Sequence, residues 1–287
     1  MFIEVESLGF AVLSMLGWGY GDFYVKKTMK FVHYYRFLRY VQLVGLIPIV
    51  LLCIWFTPPM PSSLWTVVLI VAGGAMQFLN VASSYKAMSV GKVSIVAPVS
   101  SSSAIVSVML AITILGERLS ALQILCIAIV IVGIIAASTR SGGDGNSKLG
   151  LIFALISAFT GGVYSILIKL ISSDIGGIGT LASTRILVVI IVFSLSPFLS
   201  KQAKPADIKT PFGTVVVAAM SGFLGYFGRI MSIAVGLVSI ASPIASASPA
   251  VTVVLAQLFL KESLARLQKV GIALVTLGVV LLATVSI

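Results

Sequence analysis

Three ionisable residues of this chain stand inside long apolar runs. Asp22 is the only carboxylate clearly placed in this way, and Arg185 and Arg229 are the corresponding cations. Such placement is costly in a membrane and marks a functional candidate. Asp22 has an expected partner in Lys26 at i+4, or else lies near a loop, salt-bridged and partly hydrated. Each arginine either extends to the membrane surface or stands beside a cavity, where it would suit an anionic or carboxylate-bearing solute.

Proline and serine interrupt two further apolar runs. Serines 100–103 follow the first proline closely, and Ser246 and Ser248 follow the second. Proline removes a backbone donor and frees carbonyls one turn back, which in lipid need another partner. The hydroxyls are expected near mid-membrane, where they either line a cavity or only pack helices together. The predicted helix breaks are Pro98, Pro243 and Pro249.

The composition requires a membrane. Of the 287 residues, 59% are hydrophobic and only 9% charged, and the mean hydropathy is +1.16. Soluble domains carry about 25% charged residues. The apolar runs are about 20 residues long and continuous, which predicts an all-α integral membrane protein. The net charge of +11 comes mostly from short loops beside these runs, so it does not indicate a nucleic-acid partner.

The apolar runs predict ten transmembrane helices: 8–26, 37–56, 64–86, 93–115, 120–139, 149–171, 179–199, 212–234, 238–260 and 266–286. The Gly-rich stretch 141–148 is the one clear linker. It divides the chain into a first five-helix repeat, 1–140, and a second, 149–287.

The two halves resemble each other at an offset of 145 residues. Residues 93–95 and 238–240 are both Val-Ser-Ile, and the pairs Pro98/Pro243, Ser101/Ser246, Ser103/Ser248, Glu117/Glu262 and Gln123/Gln268 are identical. Five helices is an odd number, so the halves must enter the membrane from opposite sides. This predicts an inverted repeat (5+5), the construction of many secondary transporters, with the substrate site near the midplane.

The polar residues of the spans are the candidate cavity lining: Trp18, Tyr20, Asp22, Gln77, Asn80, Tyr85, Ser101, Tyr164, Tyr226, Arg229, Ser246 and Ser248. Glu117 and Glu262 stand at turns, where each carboxylate is expected to favour the N-terminus of the next helix. No metal site is expected, because His33 is the sole histidine and Cys53 and Cys126 lie in apolar runs.

The lysines and arginines bear on orientation. Fifteen belong to the loops after spans 1, 3, 5, 7 and 9, and only Arg118 and Lys169 to the other side. The positive-inside rule then places both termini outside. The N-terminus lacks the basic segment of a cleavable signal peptide, so the first span is expected to remain.

Several short patterns resemble those of one transporter family. They are W-G-x-x-x-F at Trp18–Phe23, Lys26 at the end of span 1, Arg36-Phe37 opening span 2, and L-G-E-R-L at 115–119, echoed as L-K-E-S-L at 260–264. In this the chain resembles EamA-type proteins of the drug/metabolite transporter superfamily, which implies two five-helix domains and a central cavity. Ten-span members of this family usually have both termini in the cytoplasm, which disagrees with the orientation that the lysine and arginine count predicts. Small relatives carry a proton-coupling glutamate where this chain has Trp18.

The expected function is secondary transport of small organic metabolites, with amino acids favoured, by alternating access in the cell membrane. The alternatives are a multidrug or cationic-solute exporter, a nucleotide-sugar or sugar-phosphate carrier and, more remotely, a channel. An enzyme is not expected, since His33 lies in a loop and no G-x-S-x-G occurs. No cofactor and no nucleic-acid partner are predicted. The predicted partners are the small-molecule solute and the lipid bilayer. A monomer is compatible with the sequence.

Overall fold

The computed structural model describes residues 2–28, 34–90, 96, 99–138, 148–195, 212–260 and 265–285. Helices form nearly all of this part of the chain, which confirms the all-helical prediction. They are α1 (Phe2–Thr28), α2 (Tyr34–Val44), α3 (Leu46–Phe56), α4 (Leu64–Val90), α5 (Ser103–Ile114), α6 (Ala121–Ser138), α7 (Lys148–Ser194), α8 (Phe212–Val235), α9 (Val238–Ala245), α10 (Ser248–Leu260) and α11 (Arg266–Val285).

The outer surface of this helical bundle is apolar. Large hydrophobic side chains such as Trp55, Met60 and Leu64 are more than three-quarters exposed, as expected for side chains that face lipid. Five helical segments of the described residues are long and apolar enough to cross a membrane: Tyr34–Phe56, Leu64–Val90, Lys148–Ser194, Phe212–Val235 and Val238–Phe259. The chain is therefore a multi-pass integral membrane protein.

Helix α7 is a hairpin of two arms. Gly176 interrupts it with φ 69° and ψ 172°, a conformation that glycine adopts without strain. The hydroxyls of Tyr164 and Thr184 lie 3.1 Å apart across this break. Twenty residues of straight helix would separate them by about 30 Å. The chain therefore reverses at Gly176, in the loop that the sequence predicts between spans 6 and 7.

The principal helix pairs follow a two-fold pattern. Helix α1 packs mainly on α8, and α4 packs mainly on α7. These two pairs are counterparts under the 145-residue offset. Helices α6 and α11, which are counterparts under this offset, pair with each other, and α5 of predicted span 4 packs on α9 of the counterpart span 9. The predicted duplication is thus visible in the packing.

Small residues allow the closest of these contacts. A methyl group added at Gly17 of α1 would lie 2.5 Å from the backbone nitrogen of Gly225 in α8. Gly17 and Gly19 therefore serve a packed helix face, while α1 itself is continuous. Methyl groups at Gly133 and Gly271 would similarly meet the backbone of the facing helix across the α6–α11 interface, at 2.7 and 2.1 Å.

Two helix interruptions are found, one just before α5 and one between α9 and α10, but neither falls at a proline. Ser102 ends a short helical turn before α5, and residues 246–247 separate α9 from α10. These breaks are again 145 residues apart. Pro243 lies within α9 and Pro249 in the first turn of α10, where a missing N–H costs little. The prediction of a break at Pro243 itself is therefore wrong. Pro98 lies outside the described residues.

Candidate functional site

A polar cavity of about 150 Å³ lies between the helices of the two halves. Its walls come from α1, α2, α4, α7 and α8, and its base comes from the breaks before α5 and α10. The residues that line it are Trp18, Gly21, Asp22, Val25, Val41, Gln42, Asn80, Val81, Ser84, Tyr85, Met88, Ser100, Ser101, Ser103, Ser157, Arg185, Ala218, Gly222, Tyr226, Arg229, Ser246, Ser248 and Pro249.

The cavity extends toward one face of the membrane. Asp22 and Val25 belong to the C-terminal part of α1, and Tyr85 and Met88 to that of α4. Chain connectivity brings these ends to the same face as the start of α2. This is the face of the lysine- and arginine-rich loops.

Nine of the twelve predicted cavity residues line this cavity. They are Trp18, Asp22, Asn80, Tyr85, Ser101, Tyr226, Arg229, Ser246 and Ser248. The other three, Tyr20, Gln77 and Tyr164, do not line it. The sequence identified which polar side chains lie in spans but could not determine the face of the helix on which each one stands.

The three exceptions have separate reasons. Tyr20 is 38% exposed on the outer side of α1, where its ring lies 5.3 Å from that of Tyr24. Tyr164 is buried behind the cavity wall and bonds to Thr184. Gln77 is fully buried, and its amide has no hydrogen-bond partner within the described residues.

Arg229 connects α8 to the first arm of α7. Its guanidinium donates to the carbonyl oxygen of Gly161 at 3.0 Å and to the hydroxyl of Ser165. It also lies 5.2 Å from the ring centroid of Trp18, a cation–π contact. Arg229 is 5% exposed, so it does not extend to the membrane surface. One terminal nitrogen of Arg229 is thus bonded to the protein, while its Nε has no acceptor within the described residues.

Arg185 is the second cavity cation, and no hydrogen-bond partner is found for it among the described residues. Its side chain is 2% exposed and lies 5.4 Å from the ring centroid of Tyr226. Its Nε bonds to no acceptor within the described chain. A methyl group at Gly45 would lie 2.5 Å from an Arg185 terminal nitrogen, so the glycine between α2 and α3 makes room for the guanidinium. The expectation that Arg185 might extend to the membrane surface is therefore wrong.

Asp22 supplies the negative charge of the cavity wall. Tyr85, Tyr226, Arg185 and Arg229 line the same cavity. One carboxylate and two guanidiniums thus share a single cavity. The side chain of Lys26, the predicted partner of Asp22, lies outside the described part of the structure.

Hydroxyl and amide groups form the base of the cavity. The Ser103 and Ser246 hydroxyls, one from each half, lie 3.5 Å apart at the two helix breaks. The Asn80 amide donates to the carbonyl oxygen of Ser157 at 2.8 Å. These contacts join α4, α5, α7 and α9–α10 at the centre of the bundle. Both sequence alternatives hold here, since the serines line the cavity and also pack the helices together.

Toward the opposite face of the membrane lies a contact that we call the α9 cap. The carboxylate of Glu117 accepts hydrogen bonds from the backbone nitrogens of Val238 and Ser239 at 2.8 and 2.9 Å, and from the Ser239 hydroxyl. The Lys169 ammonium donates to the carbonyl oxygens of Ile233 and Gly236 at the end of α8. Charged groups therefore satisfy both helix ends at the α8–α9 turn.

The α9 cap corrects one prediction. Glu117 was expected to favour the next helix, α6, but it caps α9 of the other half. The N-terminus of α6 has its own reciprocal cap, in which the Ser120 nitrogen donates to the Gln123 side chain and the Gln123 nitrogen to the Ser120 hydroxyl. Gln268 accepts from Ala265 in the same way at α11. Glu262 lies outside the described residues.

A second, larger groove of about 310 Å³ lies on the lipid-facing side of α1, α10 and α11. Its walls are aliphatic, with Thr276 as the one polar residue among those that line it. Such a groove suits a lipid chain and offers no group that would orient a polar solute. The polar cavity is therefore the candidate functional site.

An all-helical membrane protein with a duplicated architecture and a polar cavity between its halves has the form of a carrier. The chain belongs to the EamA-like transporter family, which it matches twice, over residues 7–139 and 148–284. The protein is thus a membrane transporter and not an enzyme. A crystal structure 14% identical in sequence superposes on 98% of this chain and 97% of its own, with a TM-score of 0.79. This likeness shows the fold alone. No match was found among curated proteins.

Proposed function

We propose that this protein is a secondary transporter of small organic metabolites that works by alternating access, with amino acids as the favoured solutes. The observation that carries the proposal is the polar cavity, which lies between the repeats and extends toward one face only. A carrier must expose such a site to each side in turn. The closed α9 cap at the other end is the arrangement required of one of its two states.

The proposed architecture is ten transmembrane helices in two inverted five-helix repeats, 1–140 and 149–287, joined by the linker 141–148. The two-fold helix pairing, the α7 hairpin and the matching breaks before α5 and α10 support it. The two breaks lie together at the centre of the bundle, where inverted-repeat transporters place their substrate. A single chain is sufficient for this site, and the expected location is the cell membrane.

Cavity size and charge favour small metabolites over the alternative solutes. A cavity of about 150 Å³ accommodates a molecule the size of benzene. A nucleotide sugar is several times larger. Two arginines against one aspartate also disfavour a cationic drug. An amino acid has both a carboxylate for the arginines and an ammonium for Asp22.

Counterflow in proteoliposomes tests the proposal. Vesicles are preloaded with unlabelled amino acids, sugar phosphates or cationic dyes, and the entry of trace label is followed. Saturable, accelerated exchange of the amino acids is the expected result. Exchange of only one of the other solute classes would show that this class, and not the amino acids, is the substrate. Conductance without exchange would establish a channel. The Asp22→Asn and Arg229→Gln variants can then be ranked on the transported solute.

A further inference from the structure

The two cavity arginines differ in one respect. The Nε of each arginine has no acceptor within the described residues, but a terminal nitrogen of Arg229 bonds to Gly161 and Ser165 on a neighbouring helix, whereas no hydrogen bond of the equally buried Arg185 is found in that part of the chain. A buried guanidinium is normally satisfied by several hydrogen bonds, because its removal from water is costly. Beside the Arg185 guanidinium lie the ring of Tyr226, the backbone at Gly45 and the cavity space.

We propose that Arg185 binds the carboxylate of the transported solute, with Tyr226 holding the guanidinium in place. This inference rests on the proposed function and specifies its substrate as a small carboxylate. A planar guanidinium offers two parallel N–H donors that match the two oxygens of a carboxylate. The Arg185 Cζ lies over the Tyr226 ring, 5.4 Å from its centroid, and Arg185 lines the cavity in which such a pair would form. The solute would supply the acceptors that the protein does not.

Cavity volume restricts the size of this carboxylate. Four solutes with six non-hydrogen atoms each form a matched set for a site of about 150 Å³. Alanine carries a carboxylate and an ammonium, and lactate carries the carboxylate alone. Alaninamide carries the ammonium alone, and lactamide carries neither charge. Methyl phosphate, of the same size, represents the other anion that a guanidinium binds well.

Trp18 provides a direct reading of binding. The chain has three tryptophans, of which Trp18 lines the cavity, whereas Trp55 and Trp65 are 83% and 67% exposed on the outer surface. A Trp55→Phe, Trp65→Phe background leaves Trp18 as the only fluorescent indole. Titration of the purified protein with each of the five solutes then gives Kd values without any transport step.

The expected result is that alanine and lactate change Trp18 fluorescence, while their amides do so at least about tenfold more weakly. Arg185→Gln should raise Kd for both acids by about tenfold or more, the loss expected for a charge-assisted pair. Arg185→Lys should lie between, because it keeps the charge but not the paired donors. Arg39→Gln is the matched control, since Arg39 stacks 5.0 Å from the Phe193 ring and does not line the cavity.

Several results would overturn the assignment: equal Kd values for acids and amides, no response to either acid, a response to methyl phosphate only, or Arg185→Gln behaving like Arg39→Gln. Counterflow with alanine and lactate separates this proposal from the proposed function. Equal exchange of acids and amides would support the transporter but contradict the Arg185 carboxylate site. Carboxylate-selective binding without exchange would support the Arg185 site but contradict the carrier function.

Discussion

Replacement of Glu117 by Gln tests whether the α9 cap holds one end of the pathway closed. The glutamine oxygen can still accept one hydrogen bond, but its NH₂ group would face the donors at the start of α9, Val238 and Ser239. Loss of a charge-assisted bond costs about 1.5–3 kcal/mol, and loss of the carboxylate–dipole attraction about 0.3–1 kcal/mol. Because Glu117 is only half-buried, we expect a net effect of about 2 kcal/mol. This corresponds to about a 30-fold shift in population.

Thiol labelling measures this shift. Ser242 of α9 is fully buried behind the cap, so a cysteine there should react slowly with a membrane-impermeant maleimide. Cys53 and Cys126 are first replaced by Ala. Glu117→Gln should raise labelling of Ser242→Cys by up to about 30-fold, while Glu6→Gln, an exposed change on α1, should not. A lower Tm with unchanged labelling would refute the reasoning, because Glu117 would then stabilise the helix without controlling access.

Three further variants test packing and charge. Gly17→Ala should destabilise the protein by about 1–3 kcal/mol through its clash with α8, seen as a lower Tm, while Gly9→Ala on the same helix meets nothing within 4 Å and should not. Arg229→Gln should lower Tm by more than Arg185→Gln does, because only Arg229 bonds across helices. A smaller loss would contradict its structural role. Asp22→Asn should weaken the binding of alanine, measured by Trp18 fluorescence, and leave the binding of lactate unchanged. An equal loss of affinity for both solutes would exclude a contact between Asp22 and the ammonium.

Much of the fold follows from sequence, because lipid imposes one simple requirement. Every backbone polar group in the membrane must be satisfied internally, so long apolar runs become helices. The duplicated Val-Ser-Ile and the paired glutamates and glutamines predict two related halves, and the family match supports them. The Gly176 reversal likewise falls within the predicted loop.

The site was harder to predict, because each residue depends on partners distant in sequence. Tyr20 and Trp18 are two positions apart on α1, yet only Trp18 faces the cavity, since α8 packs on that side. Arg185 and Arg229 look alike in sequence. Within the described residues, Arg229 reaches acceptors on the first arm of α7 and Arg185 reaches none, and this difference was not visible in the sequence.

The Glu117 partner was unpredictable for a related reason. An acidic residue just before a helix ordinarily favours that helix, and this local rule suggested α6. The chain satisfies α6 instead with Ser120 and Gln123, which leaves the carboxylate available for α9. The 145-residue spacing of Gln123 and Gln268 was visible in the sequence, but their shared capping role was not.

The close α6–α11 interface has a consequence for the kinetics of a carrier. In the inverted-repeat architecture that we propose, the contact between the counterpart helices α6 and α11 lies near the axis that relates the two halves, where a rocking motion displaces atoms least. Gly133 and Gly271 bring the two backbones together at this contact. In the proposed alternating-access cycle, we expect a substitution there to change how fast the carrier cycles in both directions without favouring one face over the other.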